Sequence, residues 1–255
     1  IANSQTGWGL AGDTFNSLGM FEAYGEEGWF RIGDRDLATH VLRTEMLDAG
    51  RTLSEVTASL ARQSGVRAAL LPMSNERVMT RVSTDEGELS FQDYFVKRKC
   101  EPRVRAVRLT GIQDARPPVG VLEAIDHADA IVICPSNPFL SIEPILSVRG
   151  MRASLKRASA KCVAVSPLVG GQALKGPAAK MFHELGIEPS AQAVAEMYRG
   201  LAGTIVIDKV DVGQKPAIQD RGMKVRVTDT VMTSVQERER LAREILNWVI
   251  DPTGG

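Results

Sequence analysis

Several features are scarce in this 255-residue chain, and each absence excludes a class of protein. The three cysteines, Cys100, Cys134 and Cys162, are odd in number and lack the paired spacing of a zinc site, so neither a disulfide framework nor a zinc module is expected. Cys134 and Cys162 end or lie within apolar runs, which predicts buried thiols. This cysteine usage favours a reducing, cytoplasmic location.

Net charge and long apolar runs are also missing. Thirty-one basic side chains balance thirty-one acidic ones, so no general surface for nucleic acid or an anionic membrane is indicated. No run approaches the ~20 apolar residues of a membrane span, and no secretory signal is present. Because the chain begins at Ile1 rather than Met, with a glycine-rich segment at 7–12, we expect its natural N-terminus to lie upstream.

What is present in the first 102 residues predicts a helical and hairpin subdomain. Thr52 and Glu55 have the spacing of a capping box at a helix start. A short strand is predicted at Val66–Leu71. The stretches Val78–Thr84 and Glu88–Val96 flank Asp-Glu-Gly, and their β-branched and aromatic content is typical of a hairpin.

From residue 103 to residue 255 the pattern alternates between strands and helices. Predicted strands lie at Val104–Leu109, Ala130–Cys134, Cys162–Ser166, Thr204–Asp208 and Val225–Thr228, and an amphipathic helix at Gln236–Val249. Alternating βα units predict a Rossmann-like, doubly wound, mostly parallel α/β sheet. The subdomain at 1–102 is then an insertion beside this core.

Ligands of open parallel sheets bind beyond the carboxyl ends of the strands, which directs attention to the loop after Ala130–Cys134. Two prolines there fix the backbone around hydroxyl and amide side chains, and a helix follows whose free N–H groups attract phosphate. The candidate residues are Pro135, Ser136, Asn137, Pro138 and Ser141, with Ser141 predicted to cap the next helix. A rigid turn with a good cap and no ligand explains the same residues.

A second loop, Val165–Pro177, also leaves a predicted strand. Gly170 and Gly171 allow close backbone approach or positive φ, and Lys175 is suited to a phosphate. The loop matches neither the P-loop nor the dinucleotide fingerprint. A flexible connection carrying an ordinary surface lysine remains the alternative.

A third candidate is the segment Gly33–His40. The carboxylates of Asp34 and Asp36 have a spacing that suits Mg²⁺ binding or steering of a hydroxyl group, and His40 lies one turn after Asp36. The alternative is that Asp36 is only a helix cap and that Asp34 and Arg35 form a surface pair.

Taken together, three motifs resemble the CofD family of 2-phospho-L-lactate transferases: GDRDLATH at 33–40, PSNPFLSI at 135–142 and SPLVGGQALKGPAAKM at 166–181. Their order and spacing match over essentially the whole chain. The resemblance implies transfer of a phospholactyl or phosphoenolpyruvyl group from a guanosine diphospho donor to the deazaflavin Fo in coenzyme F420 synthesis, with release of GMP.

The resemblance also implies roles for the candidate residues. Pro135, Ser136, Asn137, Pro138 and Ser141 would bind the donor together with Gly170, Gly171 and Lys175. Asp34, Asp36 and His40 would be catalytic, near the acceptor or metal, with Trp29 and Arg35 on the acceptor. Mg²⁺ would neutralise the diphosphate, and a homodimer is expected. The family's GGxGG loop and N-T-G-D-D segment do not occur here, so the metal ligands are unassigned and are expected upstream.

Two alternatives compete with this interpretation. A YvcK-like regulatory protein that binds nucleotide-sugars without turnover shares the Rossmann plan but differs at the first and third motifs. A nucleotide-dependent dehydrogenase is disfavoured because no G-x-G-x-x-G follows any predicted strand.

Overall fold

The computed structural model describes residues 9–250, and it begins with three helices. These are α1 (Asn16–Ala23), α2 (Asp34–Asp48) and α3 (Leu53–Gln63). The capping box predicted for α3 is confirmed: the Thr52 side chain accepts from the Glu55 N–H, and the Glu55 carboxylate accepts from the Thr52 N–H. The prediction that Asp36 caps α2 is wrong, because the helix already begins at Asp34.

The strand predicted at Val66–Leu71 does not form. Leu70 and Leu71 are each about half exposed, at 47% of their full accessible surface. The β-rich composition of this stretch therefore does not produce pairing, because a strand also needs a neighbour to satisfy its backbone groups.

The predicted hairpin forms within a three-stranded antiparallel sheet, but its second strand was predicted to reach Val96 and ends at Ser90, because Asp93–Lys97 forms a helical turn. The strands of this sheet are β1 (Met79–Thr84), β2 (Gly87–Ser90) and β3 (Val104–Thr110), in the order β2-β1-β3. Gly87, with φ of 111°, makes the turn. We grouped β3 with the βα units of the parallel sheet, but it pairs with β1 instead. The boundary between residues 102 and 103 stays a prediction.

The second sheet is parallel, as predicted. Along the chain its strands and neighbouring elements are α4 (Val121–His127), β4 (Ile131–Ile133), α5 (Glu143–Leu146), α6 (Met151–Arg157), β5 (Cys162–Val165), β6 (Leu168–Val169), β7 (Gln172–Ala173), α7 (Ala178–Glu184), α8 (Ala191–Tyr198), β8 (Thr204–Asp208), α9 (Lys215–Gln219), β9 (Lys224–Thr228) and α10 (Val235–Ile250). The parallel strands lie in the order β4-β5-β8-β9, while β6 and β7 form a separate small hairpin.

Helices cover both faces of the parallel sheet, which makes it doubly wound. Alternate residues of β5 point to opposite sides: Ala164 joins the cluster around Phe182 and Tyr198, whereas Val163 packs with Leu241 and Ile245 of α10. The fold class predicted from the sequence is thus confirmed. Within residues 9–250, no helix combines the length and apolar character needed to cross a membrane.

Candidate active site

A cavity of about 460 Å³ lies where the parallel strands end. Its volume falls within the range of small-molecule sites. The loops that follow β4, β5 and β9 line it, and the antiparallel sheet contributes one wall. The lining residues are Phe91, Phe95, Pro135, Ser136, Asn137, Leu140, Ser141, Ser166, Pro167, Val169, Leu174, Lys175, Gly176, Pro177, Ala178, Thr230, Met232 and Arg238.

Asn137 organises the loop after β4. Its Oδ1 accepts hydrogen bonds from the backbone N–H groups of Phe139 at 2.9 Å and Leu140 at 3.1 Å, which caps a short π-helical turn at Pro138–Ile142. The cap predicted at Ser141 is therefore wrong, because the turn begins at Pro138, three residues earlier, and Asn137 takes the cap position. The Ser141 hydroxyl is left on the cavity wall instead.

The two glycines of the second loop make a hairpin turn. Gly170 and Gly171 have φ angles of 58° and 74° and connect β6 to β7, a turn that favours glycine at both central positions. The Gly170 N–H donates to the Asp211 carboxylate at 3.0 Å, which anchors the turn. Neither glycine lines the cavity, but the hairpin brings the following Lys175 to its wall.

The loop between β9 and α10 is fastened at both ends. Asp208, at the end of β8, accepts from the N–H and hydroxyl of Thr230 at 2.8 and 3.0 Å. Burial acts against its charge, yet these bonds and one from the Val210 N–H hold the pKa of Asp208 below its ordinary value. At the other end, Glu237 accepts from the Thr233 and Ser234 N–H groups at 2.6 and 2.8 Å. These contacts fix the loop beside the cavity.

An aromatic pair contributes the wall from the antiparallel sheet. Phe91 follows β2 and Phe95 lies on the next helical turn; their rings stack with centroids 5.3 Å apart and planes 20° apart. Phe95 remains 39% exposed. A stacked ring with an open face is suited to a flat aromatic ligand.

The polar groups of the cavity differ in what they already bind. The Ser166 hydroxyl bonds the backbone of Leu168, and the Thr230 hydroxyl bonds Asp208. Within residues 9–250, the hydroxyls of Ser136 and Ser141 form no hydrogen bond. Lys175 and Arg238 likewise have no ion pair there, and no carboxylate lines the cavity. The cavity therefore has a positive surplus with two available hydroxyls, which favours an anionic ligand.

The first motif, by contrast, holds two helix ends together. The Asp34 carboxylate accepts from the Thr14 hydroxyl at 2.5 Å and from the N–H groups of Asn16 and Ser17 at 3.0 and 2.9 Å, at the start of α1. The Thr14 bond is the main reason that the pKa of Asp34 lies far below its ordinary value. In return, Asp13 accepts from the Arg35 N–H at 2.9 Å, at the start of α2.

This exchange explains the glycine of the motif as well. A Cβ atom at position 33 would collide with the Asp13 carboxylate, so a side chain there would displace the group that accepts from the Arg35 N–H. Asp34, Asp36, His40, Trp29 and Arg35 do not line the cavity. Their catalytic and acceptor-binding roles stay predictions.

Trp29 and Arg35 have other neighbours. The Lys97 ammonium lies over the Trp29 ring, 5.6 Å from its centroid, and Arg35 donates to the Ala11 carbonyl at 3.0 Å. Lys97 is the last residue of the helical turn that carries Phe95, so its contact with the ring places Trp29 beside that turn. Asp36 and His40 lie one turn apart on α2, where His40 is exposed.

No metal site can be built from the described side chains. Residues 9–250 contain no group of three or more His, Cys, Asp or Glu side chains arranged to hold an ion. Asp34, one of the two carboxylates whose spacing suits Mg²⁺, already uses both carboxylate oxygens in hydrogen bonds.

Five cavity residues lie outside the segments that the sequence singled out. Phe91 and Phe95 have a spacing of four that marks one helical face, and this was the only local signal. Nothing around Thr230, Met232 or Arg238 indicates a ligand in the sequence. They reach the cavity because the loop after β9 is bound to Asp208 of β8 and α10 packs over β5.

Comparison with known proteins agrees with the motifs. The family described as "2-phospho-L-lactate transferase CofD" matches residues 14–248. A phosphoenolpyruvate transferase of Streptomyces griseus is 42% identical over 96% of this chain and 79% of its own length. A 2-phospho-L-lactate transferase of Methanosarcina mazei is 38% identical over 94% of this chain and 78% of its own.

A solved structure gives independent support for the fold. Protein BH3568 from Bacillus halodurans superposes with a TM-score of 0.58 at 19% identity, covering 81% of this chain and 70% of that one. At this identity the likeness shows the fold alone. The family match confirms the transferase role in coenzyme F420 synthesis that the motifs predict, and does not favour the YvcK-like alternative. The chain belongs to the 2-phospho-L-lactate transferase CofD family.

Proposed function

We propose that this transferase moves a phospholactyl or phosphoenolpyruvyl group from a guanosine diphospho donor to the terminal hydroxyl of Fo. The hydroxyl oxygen forms a bond to the phosphorus that bears the three-carbon acid. The bridging P–O bond breaks, GMP leaves with its electron pair, and the hydroxyl proton is released. The supporting observation is that two motifs some thirty residues apart meet in one cavity at the strand ends.

The cavity residues supply positioning and charge, on which phosphoryl transfer mainly depends. The Lys175 ammonium neutralises the diphosphate. Ser136 and Ser141 offer hydroxyl donors to its oxygens or to the guanosine, while Asn137 keeps the loop in shape through its cap. Pro135 and Pro138 restrict the backbone of the same loop. The Phe91–Phe95 pair provides a flat apolar wall.

Mg²⁺ remains part of the proposal as the counter-ion of the diphosphate. Magnesium commonly keeps several waters and binds through substrate phosphates with few protein ligands. Such an ion does not require the three-residue cluster that residues 9–250 lack. When bound, it would neutralise charge on the phosphates; loss of activity on chelation, restored by added Mg²⁺, is the expected result.

Incubation of the protein with Fo, Mg²⁺ and each donor in turn tests the reaction. We expect GMP and an Fo conjugate in equal amounts, detected by mass spectrometry. The two donors differ only in the saturation of a small group, so the ratio of their kcat/KM values assigns the natural one. Absence of both products with both donors would exclude the proposed transfer.

We also propose a homodimer in the cytoplasm. Val41 on α2, with Leu70 and Leu71 beyond α3, exposes apolar surface of the kind found at interfaces. The three free thiols agree with a reducing compartment. Light scattering and cell fractionation test the two statements separately, and a monomer or a membrane-associated pool would contradict them.

A further inference from the structure

The guanidinium of Arg238 is a second cation of the cavity that no motif identifies. Arg238 lies in the first turn of α10, and that helix packs over β5 through Leu241 and Ile245. Arg238 therefore reaches the cavity from the helix that covers this face of the sheet, whereas Lys175 reaches it from a loop. The two cations of the cavity belong to separate elements of the fold.

The acidic neighbours of Arg238 are already committed to other partners. Glu237 accepts from Thr233 and Ser234, and the Thr233 side-chain bond is the largest reason that the pKa of Glu237 falls to about 2. Glu239 pairs with Arg243 at 2.6 Å. Within residues 9–250, no carboxylate forms an ion pair with Arg238, so its charge is available to a ligand.

The surroundings hold Arg238 in place without neutralising it. The loop before α10 is tied to Asp208 through Thr230, and the helix packs on the sheet through Leu241 and Ile245. Its neighbour Arg240 donates to the Glu244 carboxylate and the Asp229 carbonyl, so its guanidinium is already paired and is not available to a ligand. Arg238 thus has an anchored backbone and a cationic side chain at the cavity rim with no partner among residues 9–250, which suits it to an anionic ligand.

The proposed donor carries two kinds of negative group: a diphosphate and the carboxylate of its three-carbon acid. Lys175 provides a point charge, which suits a diphosphate, whereas a guanidinium presents a planar fork that matches a carboxylate. Lys175 comes from the loop after β7 and Arg238 from the first turn of α10.

Building on the proposed transfer, we propose that Arg238 binds the carboxylate of the transferred three-carbon acid and thereby selects donors that carry it. The guanosine then lies toward Ser136 and Asn137, with the diphosphate beside Lys175. GDP alone fills the nucleotide part of the cavity and leaves Arg238 without a partner.

Calorimetry with three ligands isolates the carboxylate. The ligands are guanosine diphospholactate, the β-ethyl ester of GDP, which lacks the carboxylate, and GDP itself. We expect the wild-type protein to bind the lactyl compound more tightly than the ethyl ester. Arg238→Gln should weaken the lactyl compound on the order of 10- to 100-fold and leave the ethyl ester and GDP unchanged. Arg238→Lys should recover part of the loss.

Arg243→Gln is the matched control, because Arg243 is on the same helix, carries the same charge, and pairs with Glu239 outside the cavity. It should bind all three ligands as the wild type does. Equal weakening of the lactyl compound and the ethyl ester by Arg238→Gln would assign Arg238 to the phosphates and overturn the proposal, as would no effect on either. Binding needs no turnover, so this result is independent of whether transfer to Fo occurs.

Discussion

The first motif and the two later motifs carry the family resemblance equally, yet they do different physical work. The Asp34 carboxylate of the first motif accepts hydrogen bonds from the start of α1, while Asp13 accepts one from the start of α2. The loops after β4 and β5 instead present Ser136 and Lys175 to an open cavity. A motif that carries the family resemblance can thus hold two helix ends together instead of presenting a reactive group.

The Asp34 carboxylate and the Lys175 ammonium differ in the hydrogen bonds that they already make. A carboxylate that already accepts several hydrogen bonds gains little from a ligand, whereas an unpaired ammonium beside a cavity gains a charge-assisted bond. We therefore expect substitutions in the two regions to act on different quantities. Those at Asp13 and Asp34 should change folding stability, and those at the cavity should change donor use.

The largest effect is expected for Lys175→Met. Removing the ammonium takes away the side-chain cation beside the diphosphate, so kcat/KM for the donor should fall on the order of 10- to 100-fold, with little change in Tm because Lys175 is exposed. Steady-state kinetics and thermal melting measure the two quantities. Lys156→Met, which changes an exposed lysine on α6, is the control. Unchanged kinetics would remove Lys175 from the donor site.

Asn137 combines both kinds of work and so tests the comparison most closely. Asn137→Ala loses the cap on Phe139 and Leu140, which should cost about 1 kcal/mol of unfolding free energy and weaken donor use. Asn137→Asp keeps an acceptor at the cap but adds a negative charge to the cavity. We expect the second variant to regain stability yet bind the donor worse than the wild type.

Denaturant unfolding and donor KM, measured on both Asn137 variants, distinguish cap from contact. If Asn137→Asp used the donor as well as the wild type, the residue would act only through the cap. If Asn137→Ala were as stable as the wild type, the cap would carry no weight in folding.

A smaller catalytic effect, with a clear loss of stability, is expected for Asp34→Ala. The Asp34 pKa is depressed in the folded protein, so its contribution is fully present above the unfolded value of about 3.9 and is lost as pH falls toward the folded pKa. The Tm difference between wild type and variant should therefore be constant near neutral pH and shrink in acid. Asp48→Ala, at the far end of α2, is the control.

One outcome would instead assign Asp34 a catalytic role. If Asp34→Ala kept the wild-type Tm but lost turnover well below its melting temperature, the carboxylate would belong to the chemistry, as the family resemblance implies. Activity should accordingly be measured several degrees below the onset of unfolding.

Local sequence patterns predicted elements that depend on local physics. The capping box at Thr52 and the strand at Thr204–Asp208 formed where predicted, because spacing and an unbroken apolar run specify them. The stretch Val66–Leu71 has strand composition too, but strand pairing is decided by distant residues. For the same reason β3 was assigned to the wrong sheet.

The candidate site was predictable to the extent that it follows strand ends. The loops carrying Ser136 and Lys175 were found from that rule and from the resemblance. Arg238 was not, because it is one arginine among several on an amphipathic helix. Only the packing of α10 over β5 brings it to the same cavity as Ser136.

The smallest effect concerns the thiol next to the cavity loop. We predicted that Cys134 and Cys162 are both buried, yet Cys134 is exposed at the end of β4, while burial raises the pKa of Cys162 to about 12. A thiol reagent should therefore label Cys134 and spare Cys162 in the folded protein, with little change in Tm, since the reagent reaches the exposed Cys134 while burial disfavours the Cys162 thiolate. Peptide mass spectrometry identifies the modified cysteine. Labelling of Cys162 as fast as Cys134 would mean that the central strand β5 opens, and with it the edge that presents both cavity loops.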